Sequence, residues 1–259
     1  MNILLVGCGK MGGALLAQWV KRDGAAITVV DPAARDVPAP AKLVGDVSAL
    51  APASFDLIIV AVKPQMIEEV MPAYKPLLVK NGFIASIAAG YMADRLADLF
   101  GTAQIVRIMP NLPAEIGRGV SGLFALAEVS AKHRDDIEAL MRLAGGTVWV
   151  DTEDALDRVT AIAGSGPGYV FEMARCFVEA AKQLGFTDEQ ARDLVLDTMA
   201  GTVEMAKSSN ETLETLRNNV TSRNGVTQAG LEQFHKDDRL AKLFEAVTQA
   251  AYKRAVELR

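Results

Sequence analysis

Three glycines near the start of the chain have the spacing of a phosphate-binding loop. Gly7, Gly9 and Gly12 fit the pattern G-x-G-x-x-G inside the stretch NILLVGCGKMGG. Gly7 permits a tight turn, Gly9 lets backbone approach a pyrophosphate, and Gly12 lets the next helix pack on the strand. The free N–H groups and positive dipole end of that helix would hold the phosphates. The alternative is a plain strand–helix turn; the strand and helix context favours a dinucleotide site. Its predicted residues are Gly7, Cys8, Gly9, Lys10, Met11 and Gly12.

An acidic residue at a fitting distance supports this prediction. Asp31 lies 24 residues after Gly7 and directly follows the apolar run Ala26–Val30, close to the roughly 20 residues expected for the carboxylate that binds the adenosine ribose. Asp31-Pro32 is also a good turn starter, and both interpretations leave the side chain at a strand end. A carboxylate here slightly favours NADH, whereas Arg35 could offset the charge of a 2′-phosphate. The predicted cofactor is therefore NADH or NADPH.

Three more short stretches follow apolar runs and are predicted to border the same site. Their small residues leave room for a ligand, and Pro64 can open a helix at its first position. For Lys63 the alternative is a helix-start lysine, and for Asn111 it is a simple turn between two prolines. The predicted cofactor-binding residues in these stretches are Ala61, Val62, Lys63, Pro64, Ala88, Ala89, Gly90 and Asn111.

The elements that position these residues alternate between strands and helices. Apolar runs predict strands at 3–6, 26–30, 55–62, 82–87, 104–109, 119–126 and 147–150, with a loop and a short strand or helix at 32–54. This alternation is typical of a doubly wound, mostly parallel Rossmann-type sheet with helices on both faces. The ligand crevice of such a sheet lies beyond the carboxyl ends of its strands, and the residues singled out above fall there.

The pattern changes at Asp151, beyond which only helical periodicity is found. The sequence therefore predicts two domains, a dinucleotide-binding domain over 1–150 and an all-helical domain over 151–259. The helix at 169–184 is apolar around most of its circumference, which is typical of a helix buried on all sides. A helical domain of this size needs help from another subunit to cover it, so we expect a homodimer.

Composition limits the classes of partner. The chain has 259 residues and a net charge of −5, which argues against nucleic acid or anionic membranes. No apolar stretch reaches the roughly 18–20 residues of a membrane span, and no signal peptide is recognised, so we expect a cytoplasmic protein.

Cys8 and Cys176 are too few for a disulfide framework or metal cage, no metal is predicted, and each should fill a small buried space. His133 and His235 lie in charged helical stretches and are expected to be solvated.

Taken together, the motifs resemble those of pyrroline-5-carboxylate reductases, the enzymes of the last step of proline synthesis. The order of the motifs is more specific than any one of them, and they span essentially the whole chain. They are Gly7–Gly12, Ala61–Pro64, Ser86–Gly90, Arg107–Asn111, Gly164–Tyr169, Val220–Ser222, Thr227 and Ala229–Leu231.

The resemblance implies the activity and the second half of the site. It implies hydride transfer from NAD(P)H to the C5=N imine of 1-pyrroline-5-carboxylate, a helical C-terminal domain that interlocks with its twin, and dimers that in some members form larger rings. It also implies a loop that holds the substrate carboxylate through hydroxyls and backbone N–H groups, with Thr227 near the ring nitrogen as the catalytic candidate. The implied substrate-binding residues are Ser222, Asn224, Gly225, Val226 and Thr227.

Two departures from the family pattern leave questions open. Members commonly carry Ser-Pro-Gly-Gly where this chain has Ser222-Arg223-Asn224-Gly225, and many carry an uncharged residue at the position of Asp31. Asn tolerates positive φ, so Asn224 can keep a glycine-like turn. Arg223 adds a charge beside the carboxylate loop and could tighten binding or mark another substrate, such as a six-membered imine.

Two other functions stay open on the sequence alone. A reductase of a related cyclic imine or small acid would use the same fold, but a β-hydroxyacid dehydrogenase needs a lysine or histidine acid in its helical domain. Lys182 and Lys207 have no such motif around them. A non-catalytic nucleotide-binding scaffold would have no ligand for the loop at 221–227.

Overall fold

The computed structural model describes residues 1–22, 24 and 26–259. Within these residues, eight strands form one sheet in the order β3-β2-β1-β4-β5-β6-β7-β8. All neighbouring strands run parallel except β7, which is antiparallel to β6. The strands are β1 (Asn2–Val6), β2 (Ala26–Val30), β3 (Lys42–Val44), β4 (Phe55–Val60), β5 (Leu78–Ser86), β6 (Ile105–Met109), β7 (Gly119–Ala125) and β8 (Gly145–Trp149).

In the described part of the chain, ten α-helices accompany the sheet and continue beyond it. They are α1 (Lys10–Trp19), α2 (Ile67–Val70), α3 (Ala93–Phe100), α4 (Ala131–Arg142), α5 (Glu153–Val159), α6 (Gly166–Gln183), α7 (Asp188–Ser208), α8 (Leu213–Asn219), α9 (Val226–His235) and α10 (Arg239–Glu257). Helix α5 continues as a π-helical turn, Thr160–Gly164. The 3₁₀ turns are Val47–Ala49, Pro64–Met66, Met71–Leu77, Leu112–Ile116 and Lys236–Asp238.

Both faces of the sheet are covered. Because successive strand residues point to opposite faces, Leu5 packs in one core with Leu15 and Trp19 of α1, while Leu4 packs in the other with Ile67 of α2. The central strands are therefore apolar almost without interruption, as strands covered on both faces are. The predicted doubly wound, mostly parallel sheet is confirmed. The segment 32–54 contains both a short strand, β3, and a 3₁₀ turn. Strand β5 begins at Leu78, four residues before the predicted start at Gly82.

The chain divides into two compact units, Met1–Pro167 with Ala250–Arg259, and Gly168–Gln249. The last strand ends at Trp149, and every later element is helical. The boundary between residues 150 and 151, derived from the change of periodicity, stays a prediction. Among the described residues, no helix is long and apolar enough to cross a membrane.

The second unit has very little core of its own. Within residues 168–249, all of them described, the buried side chains are Ala174, Ala181, Ala191 and Val195. Helix α6 is not covered within the single chain, where Phe171 is 63% and Leu184 81% exposed, which agrees with the prediction that another subunit is needed to cover it. Cys176 was predicted to be buried but is exposed, because it lies on the same uncovered helix.

Candidate active site

The glycine loop after β1 is shaped by close backbone contacts. Gly7 has a φ of +92°, and a Cβ there would lie 2.7 Å from the carbonyl oxygen of Ala61. A Cβ on Gly12 would lie 2.8 Å from the carbonyl oxygen of Gly7, so only glycine lets α1 approach the loop this closely. By contrast, a Cβ on Gly9 would meet no atom within 4 Å. The backbone at Gly9 therefore faces open space that a ligand can enter.

The start of α1 fits an anionic ligand. Gly9 is the N-cap residue and supplies no side-chain cap, and the first turn has no acidic residue. The first N–H groups of the helix, including those of Lys10, Met11 and Gly12, have no partner within the helix ladder. Uncapped N–H groups at the positive end of a helix dipole form an anion site. These residues fit the pyrophosphate of a dinucleotide.

Asp31 lies at the end of β2 and is bonded to the glycine loop. Its Oδ2 accepts the backbone N–H of Cys8 at 2.6 Å, and its Oδ1 accepts the N–H of Ala33 at 2.8 Å. Burial, with the charge of Asp31, raises the pKa of the Cys8 thiol, which therefore stays neutral near pH 7. Arg35 is exposed and makes no ion pair within the described part of the chain. The carboxylate is thus fixed beside the loop, with an exposed cation four residues away.

The loops after β4 and β5 end at the same edge of the sheet. Ala61 donates its N–H to the carbonyl oxygen of Val6 at 2.8 Å. Lys63 is exposed and is the N-cap residue of the turn Pro64–Met66, so Pro64 opens a helical turn as predicted. Val62 packs on the apolar core below. After β5, Ala88 is buried and Ala89 exposed.

Gly90 has a neighbour that no local pattern reveals. Its φ is +75°, and a Cβ there would overlap the carbonyl oxygen of Leu258. The end of the chain is held nearby, because the guanidinium of Arg259 bonds Asp157 at 2.7 Å and Asp154 at 3.0 Å. The small residue at position 90 thus makes room for the chain's own backbone.

A cluster of side chains that the sequence did not single out joins these two loops. Tyr91, directly after Gly90, donates its hydroxyl to Glu68 of α2 at 3.2 Å, and Arg95 pairs with the same carboxylate. The Arg95 guanidinium also lies over the Tyr91 ring, 4.6 Å from its centroid, and its hydrogen bond lowers the pKa of Glu68. The cluster fixes α2 against the loop at 88–91. In the sequence, the tyrosine that directly follows Gly90 is the one feature that could have indicated this cluster.

Asn111, expected at the cofactor, uses its carboxamide within the protein. The residue is 8% exposed. Its Nδ2 donates to the carbonyl oxygen of Ala163 at 3.0 Å, and its Oδ1 accepts the N–H of Val120 at 2.8 Å. The side chain therefore joins the end of β6 to β7 and to the π-helical turn.

In the second unit, the predicted substrate residues form one tight turn. Asn224 has a φ of +56°, the glycine-like conformation expected of it, and its N–H donates to Gln228 Oε1 at 2.8 Å. A Cβ on Gly225 would overlap the Ser222 hydroxyl, so a larger residue there would force that hydroxyl to move. Gly225 is the N-cap residue of α9 and has no side-chain cap. Val226 and Thr227 follow, both exposed, with N–H groups that lack helix partners.

The remaining candidate side chains are possible metal ligands and the two histidines. Among the described residues, no group of three or more His, Cys, Asp or Glu side chains could hold a metal ion. His235 is exposed, as expected. His133 is half-buried, so it is solvated only in part: its ring stacks on Phe83 at 4.4 Å between centroids, and its Nδ1 lies 2.9 Å from Gln104 Oε1.

A Rossmann-type sheet, an open glycine loop and an uncapped helix start define a dinucleotide-dependent oxidoreductase. The family model for NADP oxidoreductase, coenzyme F420-dependent, matches residues 2–90, and that for pyrroline-5-carboxylate reductase dimerisation matches residues 153–258. A pyrroline-5-carboxylate reductase of Pseudomonas aeruginosa is 37% identical over 99% of this chain and 96% of its own.

Solved structures agree with these matches. A pyrroline-5-carboxylate reductase of Coxiella burnetii superposes with a TM-score of 0.92 at 31% identity, over 99% of this chain and 98% of its own. A pyrroline carboxylate reductase of Plasmodium falciparum with NADP bound has a TM-score of 0.86 at 26% identity, over 100% of this chain and 98% of its own. The chain belongs to the pyrroline-5-carboxylate reductase family.

Proposed function

We propose that this protein reduces the C5=N imine of 1-pyrroline-5-carboxylate to L-proline with NADH or NADPH. The observation that carries the proposal is the similarity to a reductase of that name at 37% identity over 99% of the chain. The site supports it in two parts. The glycine loop and the uncapped start of α1 fit a dinucleotide, and the turn at 222–227 presents hydroxyl and N–H groups suited to a carboxylate.

The dinucleotide-binding part of the site contributes by binding and orienting the cofactor. The nicotinamide, when bound, supplies the hydride. The N–H groups of Lys10, Met11 and Gly12 hold the pyrophosphate, and Asp31 accepts hydrogen bonds from the adenosine ribose. Because a protonated imine is already a strong electrophile, the main contribution required of the protein is proximity and orientation.

The turn at 222–227 holds the substrate. The N–H groups of Val226 and Thr227, with the Ser222 hydroxyl, donate to the carboxylate in short, charge-assisted hydrogen bonds without a buried lysine. The Thr227 hydroxyl meets the ring nitrogen, orients the imine and relays to it, from solvent, the one proton that makes it an iminium ion before the hydride arrives at C5. Hydride and proton together give the secondary amine of proline.

Oxidation of NADH and NADPH, measured side by side with purified protein and 1-pyrroline-5-carboxylate, tests the proposal. We expect substrate-dependent loss of absorbance at the wavelength of the reduced nicotinamide, with proline as the product. The six-membered cyclic imine and the carbonyl compound whose reduction gives a β-hydroxyacid are assayed as alternative substrates. Faster turnover of either would assign the chain to a related reductase, and no turnover with intact NADH binding would indicate a nucleotide-binding scaffold.

For the cofactor, we propose a preference for NADH that depends on Asp31. Its carboxylate is fixed 2.6 Å from the Cys8 nitrogen beside the glycine loop. A 2′-phosphate brings roughly −1.5 to −2 charge at pH 7, and unit like charges about 4 Å apart repel by about 4 kcal/mol at an effective dielectric near 20. Arg35 offsets part of this repulsion, and the Plasmodium falciparum relative was solved with NADP.

The variant Asp31→Ser measures this preference. We expect the ratio of kcat/KM for NADH to that for NADPH to fall by about tenfold or more in Asp31→Ser, because the repulsion of the phosphate is removed. Asp36→Ser, an exposed carboxylate nearby in sequence, is the matched control and should leave the ratio unchanged. A wild type that prefers NADPH tenfold would refute the proposal.

We further propose that the enzyme acts as a cytoplasmic homodimer formed through residues 151–259, with a ring of dimers as a possible higher assembly. The match of residues 153–258 to a dimerisation family supports the dimer. The small number of buried side chains in residues 168–249 supports it independently.

A further inference from the structure

Asn111 is a buried carboxamide with both polar ends bonded to the backbone of other segments. It bonds Ala163 at 3.0 Å and Val120 at 2.8 Å. Turning the carboxamide toward a bound nicotinamide would break at least one of these bonds and leave a part-buried backbone group without its partner in the protein, which costs free energy. The contacts therefore point to a role other than direct contact with the cofactor.

The carbonyl that Asn111 bonds needs a partner for a reason visible in the sequence. Ala163 lies in the π-helical turn Thr160–Gly164. In a regular helix its carbonyl oxygen would accept the N–H of residue 167, but Pro167 has none. The Asn111 amide supplies the missing donor. Single π-helical turns occur frequently at functional sites, where they displace the backbone from the regular helix path.

The π-helical turn makes a second contact, between Gly164 and the end of β6. A Cβ on Gly164 would lie 2.8 Å from the Met109 Cε, so the backbone at Gly164 packs directly on the last residue of β6. At Gly166, in contrast, a Cβ would meet no atom within 4 Å. The segment is thus fixed on the side of the sheet and open at Gly166, beside the carboxyl edge where ligands of such sheets bind.

We propose that Asn111 is a positioning residue for hydride transfer, acting through the backbone of Thr160–Pro167. By fixing the Ala163 carbonyl it sets the path of this segment, which lies beside the carboxyl edge of the sheet where the nicotinamide would bind. The proposal rests on the proposed reductase function. Asn111 is therefore expected to affect the rate of hydride transfer and not the affinity for the cofactor.

Two variants of Asn111 and one control test the proposal. Asn111→Ala removes both bonds, whereas Asn111→Asp keeps an acceptor for the Val120 N–H and loses the donor to Ala163. Gln104→Ala is the control, because Gln104 is a second carboxamide that bonds backbone at the opposite end of β6, donating to Glu128 at 2.7 Å. The measurements are kcat, the Kd of NADH, and hydrogen exchange of the amides in residues 160–168.

We expect both Asn111 variants to bind NADH with a Kd within about threefold of wild type and to lose about tenfold or more in kcat. Exchange in residues 160–168 should accelerate in both variants. Gln104→Ala should lower the melting temperature and leave kcat and this exchange unchanged. Because Asn111→Asp retains the Val120 bond, it remains a test if Asn111→Ala fails to fold.

Several outcomes would overturn the proposal. A loss of NADH affinity that matches the loss of kcat/KM would assign Asn111 to direct cofactor contact. Unchanged kcat with a lowered melting temperature would make the side chain purely structural. Unchanged exchange in 160–168 would refute the bond to Ala163 as the relevant one. A wild-type enzyme that does not reduce 1-pyrroline-5-carboxylate is a separate result and refutes the proposed function itself.

Discussion

The Thr227 hydroxyl is free to act on a substrate, because it has no hydrogen-bonding role within the described chain. The N-cap residue of α9 is Gly225, and no side chain caps this helix. We therefore expect Thr227→Ala to fold with an unchanged melting temperature and near-normal NADH affinity. It should lose about tenfold or more in kcat/KM for the imine, since each factor of ten corresponds to about 1.4 kcal/mol of transition-state stabilisation.

A true cap in the same unit provides the control for Thr227. The Thr212 hydroxyl accepts the N–H of Thr215 at 3.1 Å and caps α8. Thr212→Ala should cost about 1 kcal/mol of unfolding free energy and leave kcat/KM unchanged. If Thr227→Ala behaved in the same way, with lower stability and full turnover, the hydroxyl would be structural.

The stacked ring of His133 predicts a pH dependence of stability. Burial lowers the pKa of His133 below its ordinary value of 6.5, and the neighbouring Lys132 lowers it further. Below about pH 6.5 the unfolded chain then binds a proton that the folded chain does not, so the free energy of unfolding falls as the pH drops through this range. Above it, both states are neutral at this ring and no dependence remains.

Melting temperatures at pH 7.5 and 5.5 measure this effect. His133→Phe keeps a ring to stack on Phe83 and removes the titration, so its melting temperature should fall less between the two values than that of the wild type. His235→Gln, at an exposed site, should behave like the wild type. An identical fall in the wild type and in His133→Phe would show that other groups cause the dependence.

Among the elements, a buried ion pair joins β6 to two helices. Arg107 of β6 bonds Glu153 of α5 at 2.6 Å, with side-chain exposures of only 5% and 14%. The same Glu153 oxygen accepts the N–H of Ala93 at 2.9 Å, at the start of α3, whose N-cap residue supplies no side-chain bond. One carboxylate therefore neutralises a strand arginine and caps a helix.

Removing that carboxylate should destabilise the protein strongly. We expect Glu153→Ala to lower the free energy of unfolding by about 3–5 kcal/mol, because it leaves a buried guanidinium without its partner. The double variant Arg107→Met, Glu153→Met should recover much of this loss. Urea unfolding compares them with Lys132→Ala, which breaks an exposed pair and should change stability little. A loss as small as that of Lys132→Ala would contradict the prediction.

The sequence predicts those elements whose causes are local. The glycine loop, the strands and the positive φ of Asn224 each depend on residue types a few positions apart. Long-range partners cannot be found in this way. The Leu258 carbonyl at Gly90 and the Ala163 carbonyl at Asn111 are brought there by the whole fold, and the stacking of His133 on Phe83 joins two elements about fifty positions apart. In a single sequence, an arginine within the apolar run IVRIM is the one visible sign of the buried ion pair.

For the whole molecule, the main physical problem is the uncovered apolar surface of the second unit. Side chains exposed in the single chain include Val170, Phe171, Met173, Phe177 and Leu184 of α6. The cluster in which α6 and α7 meet contains only Ala181, Ala191 and Val195 as buried residues. Exposed apolar patches of this extent mark interaction surfaces. A stable unit therefore requires a partner surface that buries α6.

A homodimer that cannot dissociate without unfolding satisfies this requirement. We expect light scattering at micromolar concentration to show no folded monomer, and the melting temperature to rise with protein concentration, as it does when association and folding are coupled. Phe171→Asp, at a side chain 63% exposed in the single chain, would place a charge in the buried interface and should abolish the dimer and the fold of the helical unit together. Lys80→Glu, a charge change at an exposed site on β5, should leave both intact. A stable, active monomer of the wild type would contradict the prediction, because α6 would then be stable with its apolar surface in water.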